Sequence, residues 1–173
     1  MNVNIFFVIV AAGLMSIFLF FKPLHIKQRK FVDVPVFELG AFTMYELDTQ
    51  NLITVMTGTK ATRYSNRYEV SNINYTDNSK DYLANMKADR GLFKDEVVYL
   101  NGNVDYQRED GLVFKTQKAT YNKKTKVAST DTDYISYMGD NEIVGTSLRY
   151  NSFSKRVKSK NIVARYQLKE DNK

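Results

Sequence analysis

Between Pro35 and the last residue, Lys173, no further proline occurs, and the same stretch is rich in Tyr, Val, Thr and Phe. No segment of it keeps a 3.6-residue apolar period. A chain of that kind favours strands over helices, because β-branched and aromatic side chains fit a pleated, half-buried surface. Alternation supports the reading. Leu112, Phe114 and Thr116 share one parity, and Ile162, Ala164, Tyr166 and Leu168 share one against Asn161, Val163, Arg165 and Gln167. Each such strand has one buried and one wet face, the mark of antiparallel sheets. Asn101-Gly102 and Asp110-Gly111 are strong hairpin signals, and they predict turns on either side of a strand over 103–108.

The body also repeats itself. Lys60-Ala61-Thr62-Arg63-Tyr64, Lys87-Ala88-Asp89-Arg90, Lys118-Ala119-Thr120-Tyr121 and Ser147-Leu148-Arg149-Tyr150 recur along the chain, each followed after a similar interval by a valine: Val70, Val97, Val127 and Val157. The unit is a strand, a polar turn such as Tyr64–Arg67 or Asn122–Thr125, and a returning strand. A lone hairpin is marginally stable, so the units must stack to bury their apolar faces. The expected fold class is all-β: an elongated antiparallel jelly roll, a folded-over sheet of stacked hairpins. Ser79–Met86 reads as the entry to a strand after a turn over Asn74–Asn78.

The first thirty residues differ in kind. Ile5 to Phe21 carries no charge, and as a helix it spans roughly 26 Å, close to the hydrocarbon thickness of a bilayer. A cleaved secretory signal needs a basic start and a small-x-small site, whereas Met-Asn-Val-Asn precedes the run and Phe20-Phe21-Lys22-Pro23 follows it. The expectation is a retained anchor over 3–22, a juxtamembrane linker over 23–36, a β domain over 37–168 and a polar tail over 169–173. His25, the one histidine, falls just past the apolar run, at home at a membrane interface. Lys22, Lys27, Arg29 and Lys30 all follow the run, so charge bias alone would keep the body in the cytoplasm.

Composition removes most chemistry. Without cysteine and with a single histidine, disulfides, thiolate zinc sites and Cys- or His-based catalysis in the body are excluded. Phosphate-loop, nucleophile-elbow and zincin motifs are absent. The formal charge of +6 suggests nucleic acid, but subtracting the four juxtamembrane cations leaves 21 basic against 19 acidic residues in 31–173, which withdraws that partner. The remaining basic stretch, Arg149 to Arg165, reads as a solvated hairpin face, with an anionic contact as the alternative. Asp95-Glu96, Glu109-Asp110 and the pair Asp131 and Asp133 read as solvated turn or edge residues. A carbohydrate-processing site would need two carboxylates facing each other across a cleft, and an EF-hand would need a Gly and a Glu that the Asp131 loop lacks. No catalytic residue, metal or cofactor is assigned.

Apolar side chains are then the candidates for function. Phe42, Met44, Leu100, Val104, Phe114, Leu148, Ala164 and Tyr166 fall on the expected inner faces of strands. They form either a plain core or the lining of a trough suited to acyl chains.

At this point the chain resembles the LptC family, the membrane-anchored component of the lipopolysaccharide export system, whose OstA-like repeats are shared with LptA and the N-terminal domain of LptD. The resemblance rests on the single N-terminal span, Phe42–Leu47 as a first strand, Lys87-Ala88-Asp89, Leu100-Asn101-Gly102-Asn103-Val104, Asp110-Gly111 with Phe114-Lys115-Thr116, and Gly145–Tyr150. It implies a non-enzymatic inner-membrane protein, single-pass, with its β domain in the periplasm, against the charge rule. It further implies that lipopolysaccharide passes along the trough from the LptB, LptF and LptG transporter to LptA, which docks at the C-terminal edge, Asn161, Ile162, Val163, Ala164 and Arg165. The alternative is a membrane-tethered β-rich scaffold that binds protein partners without lipid.

Overall fold

The computed structural model describes residues 3–20, 33–49, 51–79 and 82–167. Positions 21–32, with His25 and most of the expected linker, and positions 168–173, with Leu168 and the expected tail, lie outside the described residues. The described chain divides into two units, Met1–Phe31 and Val32–Lys173.

In the first unit, helix α1 spans Val3–Phe20, with a mean hydropathy of 2.5 and no buried side chain. Its length and composition suffice to cross a membrane. Ser16 donates its hydroxyl to the Ala12 carbonyl at 2.8 Å, so this polar group is satisfied inside the helix, as an apolar surrounding requires.

The second unit is one antiparallel sheet of twelve strands: β1 Phe37–Leu47, β2 Leu52–Arg63, β3 Tyr68–Asp77, β4 Ala84–Lys94, β5 Val97–Arg108, β6 Leu112–Asn122, β7 Val127–Thr130, β8 Tyr134–Met138, β9 Asn141–Gly145, β10 Ser147–Asn151, β11 Arg156–Lys160 and β12 Val163–Arg165. The first six form a meander of long strands. Beyond β6 the sheet divides. The C-terminal half of β6 continues into β7, β10 and β11, and its N-terminal half into β8, β9 and β12.

A line of irregularities crosses the long strands and explains that division. Register shifts between Lys87 and Arg90 in the β4–β5 pair and between Asn101 and Val104 in the β5–β6 pair, while the β1–β2 and β3–β4 ladders each skip one pair, at Ala41 and Asn72, without changing register. Left-handed φ values mark the same line at Ala41, Asn72, Gly102, Asn103 and Asn161. Bulges bend the strand that carries them, and the two bulges together with the positive-φ residues on the same line fold the sheet into two wings. Wing 1 holds 37–40, 60–63, 68–71, 90–94, 97–101, 118–122, β7, β10 and β11, and wing 2 holds the remaining strand segments. A flat single layer would leave one face uncovered, yet Ile73, Ala88 and Val104 of wing 2 are buried, Val104 to 3% exposure, and they pack against Val70, Leu100 and Ala119 of wing 1. The inner faces of the two wings therefore cover each other along the fold line.

The expected class, a folded-over antiparallel sheet of stacked hairpins, is the observed one. The sequence repeats are the stacked hairpins of wing 1: β2–β3, β4–β5, β6–β7 and β10–β11. The turn at Asp110-Gly111 forms, with Gly111 N–H donating to the Arg108 carbonyl at 3.1 Å. The turn expected at Asn101-Gly102 does not. Both residues lie in the middle of β5, and the hairpin before that strand is made by Asp95 and Glu96, which both take positive φ as a type I′ turn demands. Gly102 and Asn103 take positive φ there, in a bulge instead of a reversal. Likewise Asn74–Asp77 continues β3 and forms no turn.

Candidate functional site

Residues paired across antiparallel strands point to the same face, so the register can be followed from one edge of the sheet to the other. In wing 2 one row runs Met44, Met56, Tyr75, Met86, Tyr106, Phe114, Ser136, Ile143, Ala164 without a gap, from edge strand β1 to edge strand β12. Eight strand-to-strand steps make this path roughly 38 Å long. Met56, Tyr75 and Met86 pack on the buried cluster, which identifies the row as inward-facing.

Seven of the eight sequence candidates fall on that face. Met44, Phe114 and Ala164 belong to the row itself. Phe42 and Val104 lie one row nearer the fold line, with Phe42 opposite Gly58 and Val104 opposite Thr116. Leu100 and Leu148 belong to the matching row of wing 1, where Leu148 lies between Thr130 and Ser159. Tyr166 lies just beyond the end of β12 and is exposed. The face is unevenly covered. Val104 is core, whereas Phe37, Leu39 and Met44 at the β1 end and Val157, Ile162 and Tyr166 at the other end are exposed apolar side chains.

Sequence reasoning missed several inner residues. Met56, Tyr75, Met86 and Ile143 are legible only once cross-strand register is known. Tyr134 is the most consequential omission. It is buried, its ring stacks on Phe114 with centroids 5.4 Å apart, and its hydroxyl shares a 2.7 Å hydrogen bond with Ser159, tying wing 2 to wing 1. A Cβ on its neighbour Gly145 would lie 2.7 Å from the ring, so only glycine admits the ring there. Thr116 and Thr130 make a second tie between the wings at 3.1 Å, and Thr132 hydrogen-bonds both. Burial, with the Tyr82 phenol nearby, pushes the Tyr106 phenol up to about 12, so the inner row holds it neutral at ordinary pH.

The carboxylates do not converge. Asp95 and Glu96 form a turn, Asp110 pairs with Arg108, and Asp131 and Asp133 border separate hollows on the outer faces of wing 1 and wing 2. The docking candidates Val163, Ala164 and Arg165 form β12, which among the described residues pairs only with β9, and Asn161 and Ile162 lead into it. A second edge escaped the sequence reading: β11, which among the described residues pairs only with β10.

A family described as lipopolysaccharide-assembly, LptC-related, matches residues 7–166 of this chain. The chain belongs to the LptC-related family. Membership carries a role in lipopolysaccharide transport, and together with α1 it is consistent with a single-pass membrane anchor. Among solved structures, LptH of Pseudomonas aeruginosa, described as the LptA-homologous periplasmic component of the lipopolysaccharide transport device, aligns with a TM-score of 0.44 at 11% identity, covering 79% of this chain and 98% of that one. No curated protein sequence matches.

Proposed function

We propose that this LptC-related chain is a passive conduit in the inner membrane, its β unit standing in the periplasm and passing lipopolysaccharide from the LptB, LptF and LptG transporter to LptA. The observation that carries this reading is the unbroken inner row from Met44 to Ala164. Acyl chains in water cost about 0.8 kcal/mol per exposed CH₂, so a continuous apolar face lowers the crossing barrier without chemistry. Entry is at the exposed β1 end, where Phe37, Leu39 and Met44 are open, and exit is at Val157, Ile162 and Tyr166. Chains pass the middle by parting the wings, since Ile73, Ala88 and Val104 fill it. Edge strands offer unpaired backbone groups, and strand addition there continues the inner face into the neighbouring protein. Energy comes from the transporter.

Photo-crosslinkers at Phe42, Phe114 and Tyr166 are expected to capture lipopolysaccharide in cells, and one at Lys87 on the outer face is not. Equal capture at all four positions overturns the conduit and leaves the lipid-free scaffold. A periplasm-only reporter fused after Lys173 is expected to be active, and silence in a well-expressed fusion places the body on the cytoplasmic side.

A further inference from the structure

The outer face of wing 1 holds a hollow of about 600 Å³ bordered by Lys118 of β6, Arg149 of β10, and Lys158 and Lys160 of β11, with Asp131 as its one carboxylate. In each lining strand the residues on either side of Leu100, Ala119, Thr130, Leu148 and Ser159 have the opposite parity to these inner positions, so the side chains that border the hollow stand on the sheet surface opposite the inner row. Register makes its charge costly. Arg149 stands directly across from Lys158, and like charges directly opposite destabilise a strand pair. None of the four cations has an ion-pair partner among the described residues.

A built-in control lies on the other wing. Its outer hollow, of about 720 Å³, has the same relation to the fold line, but there Lys115 stands across from Asp105 and pairs with it at 3.4 Å. One hollow neutralises its charge internally and the other concentrates it. Around the cations, Tyr99, Thr120 and Ser129 present hydroxyls with no side-chain hydrogen bond among the described residues. Clustered cations suit phosphate oxygens, and idle hydroxyls suit a polyhydroxylated ring. The volume lies in the range of small-ligand sites.

We infer that this hollow binds a phosphorylated saccharide, with the phosphate between Arg149 and Lys158 and the sugar against the hydroxyls. The inference does not depend on the conduit, since the hollow lies on the opposite face and its occupancy is read without lipid. The test is calorimetric titration of the full chain, in micelles of an uncharged polyoxyethylene detergent at low salt, with glucose 1-phosphate, glycerol 3-phosphate and inorganic phosphate. Glucose 1-phosphate is expected to bind more tightly than the other two. Loss of two charge-assisted contacts in Arg149→Ala/Lys158→Ala is expected to weaken it about tenfold or more. The double variant Lys87→Ala/Lys115→Ala removes the same charge from the other wing and is expected to leave binding unchanged. Far-UV circular dichroism verifies that both variants keep the sheet. Equal weakening in the two variants reduces the effect to net charge and overturns the site. Equal affinity for all three probes overturns the saccharide assignment, a preference for glycerol 3-phosphate transfers the site to phospholipid headgroups, and absence of heat with every probe overturns the whole inference.

Discussion

Gly102 shows how much of this fold is decided at single residues. Its φ of +78° is one that side chains rarely adopt, and a Cβ there would lie 2.3 Å from the Asp89 carboxylate, which accepts a hydrogen bond from Asn103 Nδ2 at 2.9 Å. Gly102→Ala is expected to lower stability by roughly 2 kcal/mol, the usual cost of a strained backbone position. Denaturant unfolding of the full chain in detergent measures it. Adding Asp89→Ala removes the contact with the carboxylate but neither the 2.9 Å approach of the residue 89 Cβ nor the φ, so it restores only part, and full restoration would show that the backbone is unstrained. Tyr106 supplies a pH test. Its folded pKa, about 12, lies above the ordinary value of 10 because burial disfavours the phenolate. Stabilisation of the neutral form is complete below pH 10 and is lost as pH rises toward 12. Tyr106→Phe is expected to lose stability less steeply across that window than the parent, and parallel alkaline curves would place the phenol in water.

At the scale of elements, the strands themselves were legible because alternation is a period-two signal that needs no partner. Leu112, Phe114 and Thr116 disclosed their shared face without a neighbour. What pairs with what was not legible, since register is set by where bulges fall and the same Asn-Gly dipeptide serves reversal and bulge alike. That ambiguity displaced the β4–β5 turn from Asp95-Glu96 to Asn101-Gly102. It also hid Tyr134, whose role depends on Gly145 and Ser159 across strands. The seven candidates that lie on inner strand faces were legible for the opposite reason: parity survives an error in turn position when the bulge restores the face. Among the described residues the C-terminal end carries two free edges, β11 and β12, where sequence reading found only the second. If both wings dock, truncation before Asn161 weakens capture of LptA and truncation before Ser152 abolishes it, while membrane association through α1 persists. Capture unchanged by the first truncation removes β12 from the interface.

For the whole molecule, the question is whether the inner row acts as one path or as two separate apolar patches, because apolar exposure is concentrated at the two ends and the middle is filled by the protein's own side chains. Ser136 lies in the row between Phe114 and Ile143, its hydroxyl donating to the Val113 carbonyl at 3.1 Å. A carboxylate there stays in the path of any chain sliding along the face, and meeting a charge in an apolar setting costs several kcal/mol. In cells expressing Ser136→Asp, a photo-crosslinker at Met44 is expected to keep capturing lipopolysaccharide, whereas one at Ala164 loses it. Ser136→Ala, which removes the hydroxyl without adding charge, is expected to leave both positions labelled and so separates blocked passage from local damage to β8. If Ala164 remains labelled in Ser136→Asp at the parent level, with the sheet intact by circular dichroism, lipid reaches the β12 end without crossing the middle. In that event the two ends bind independently, and the row connects them in register but not in transport.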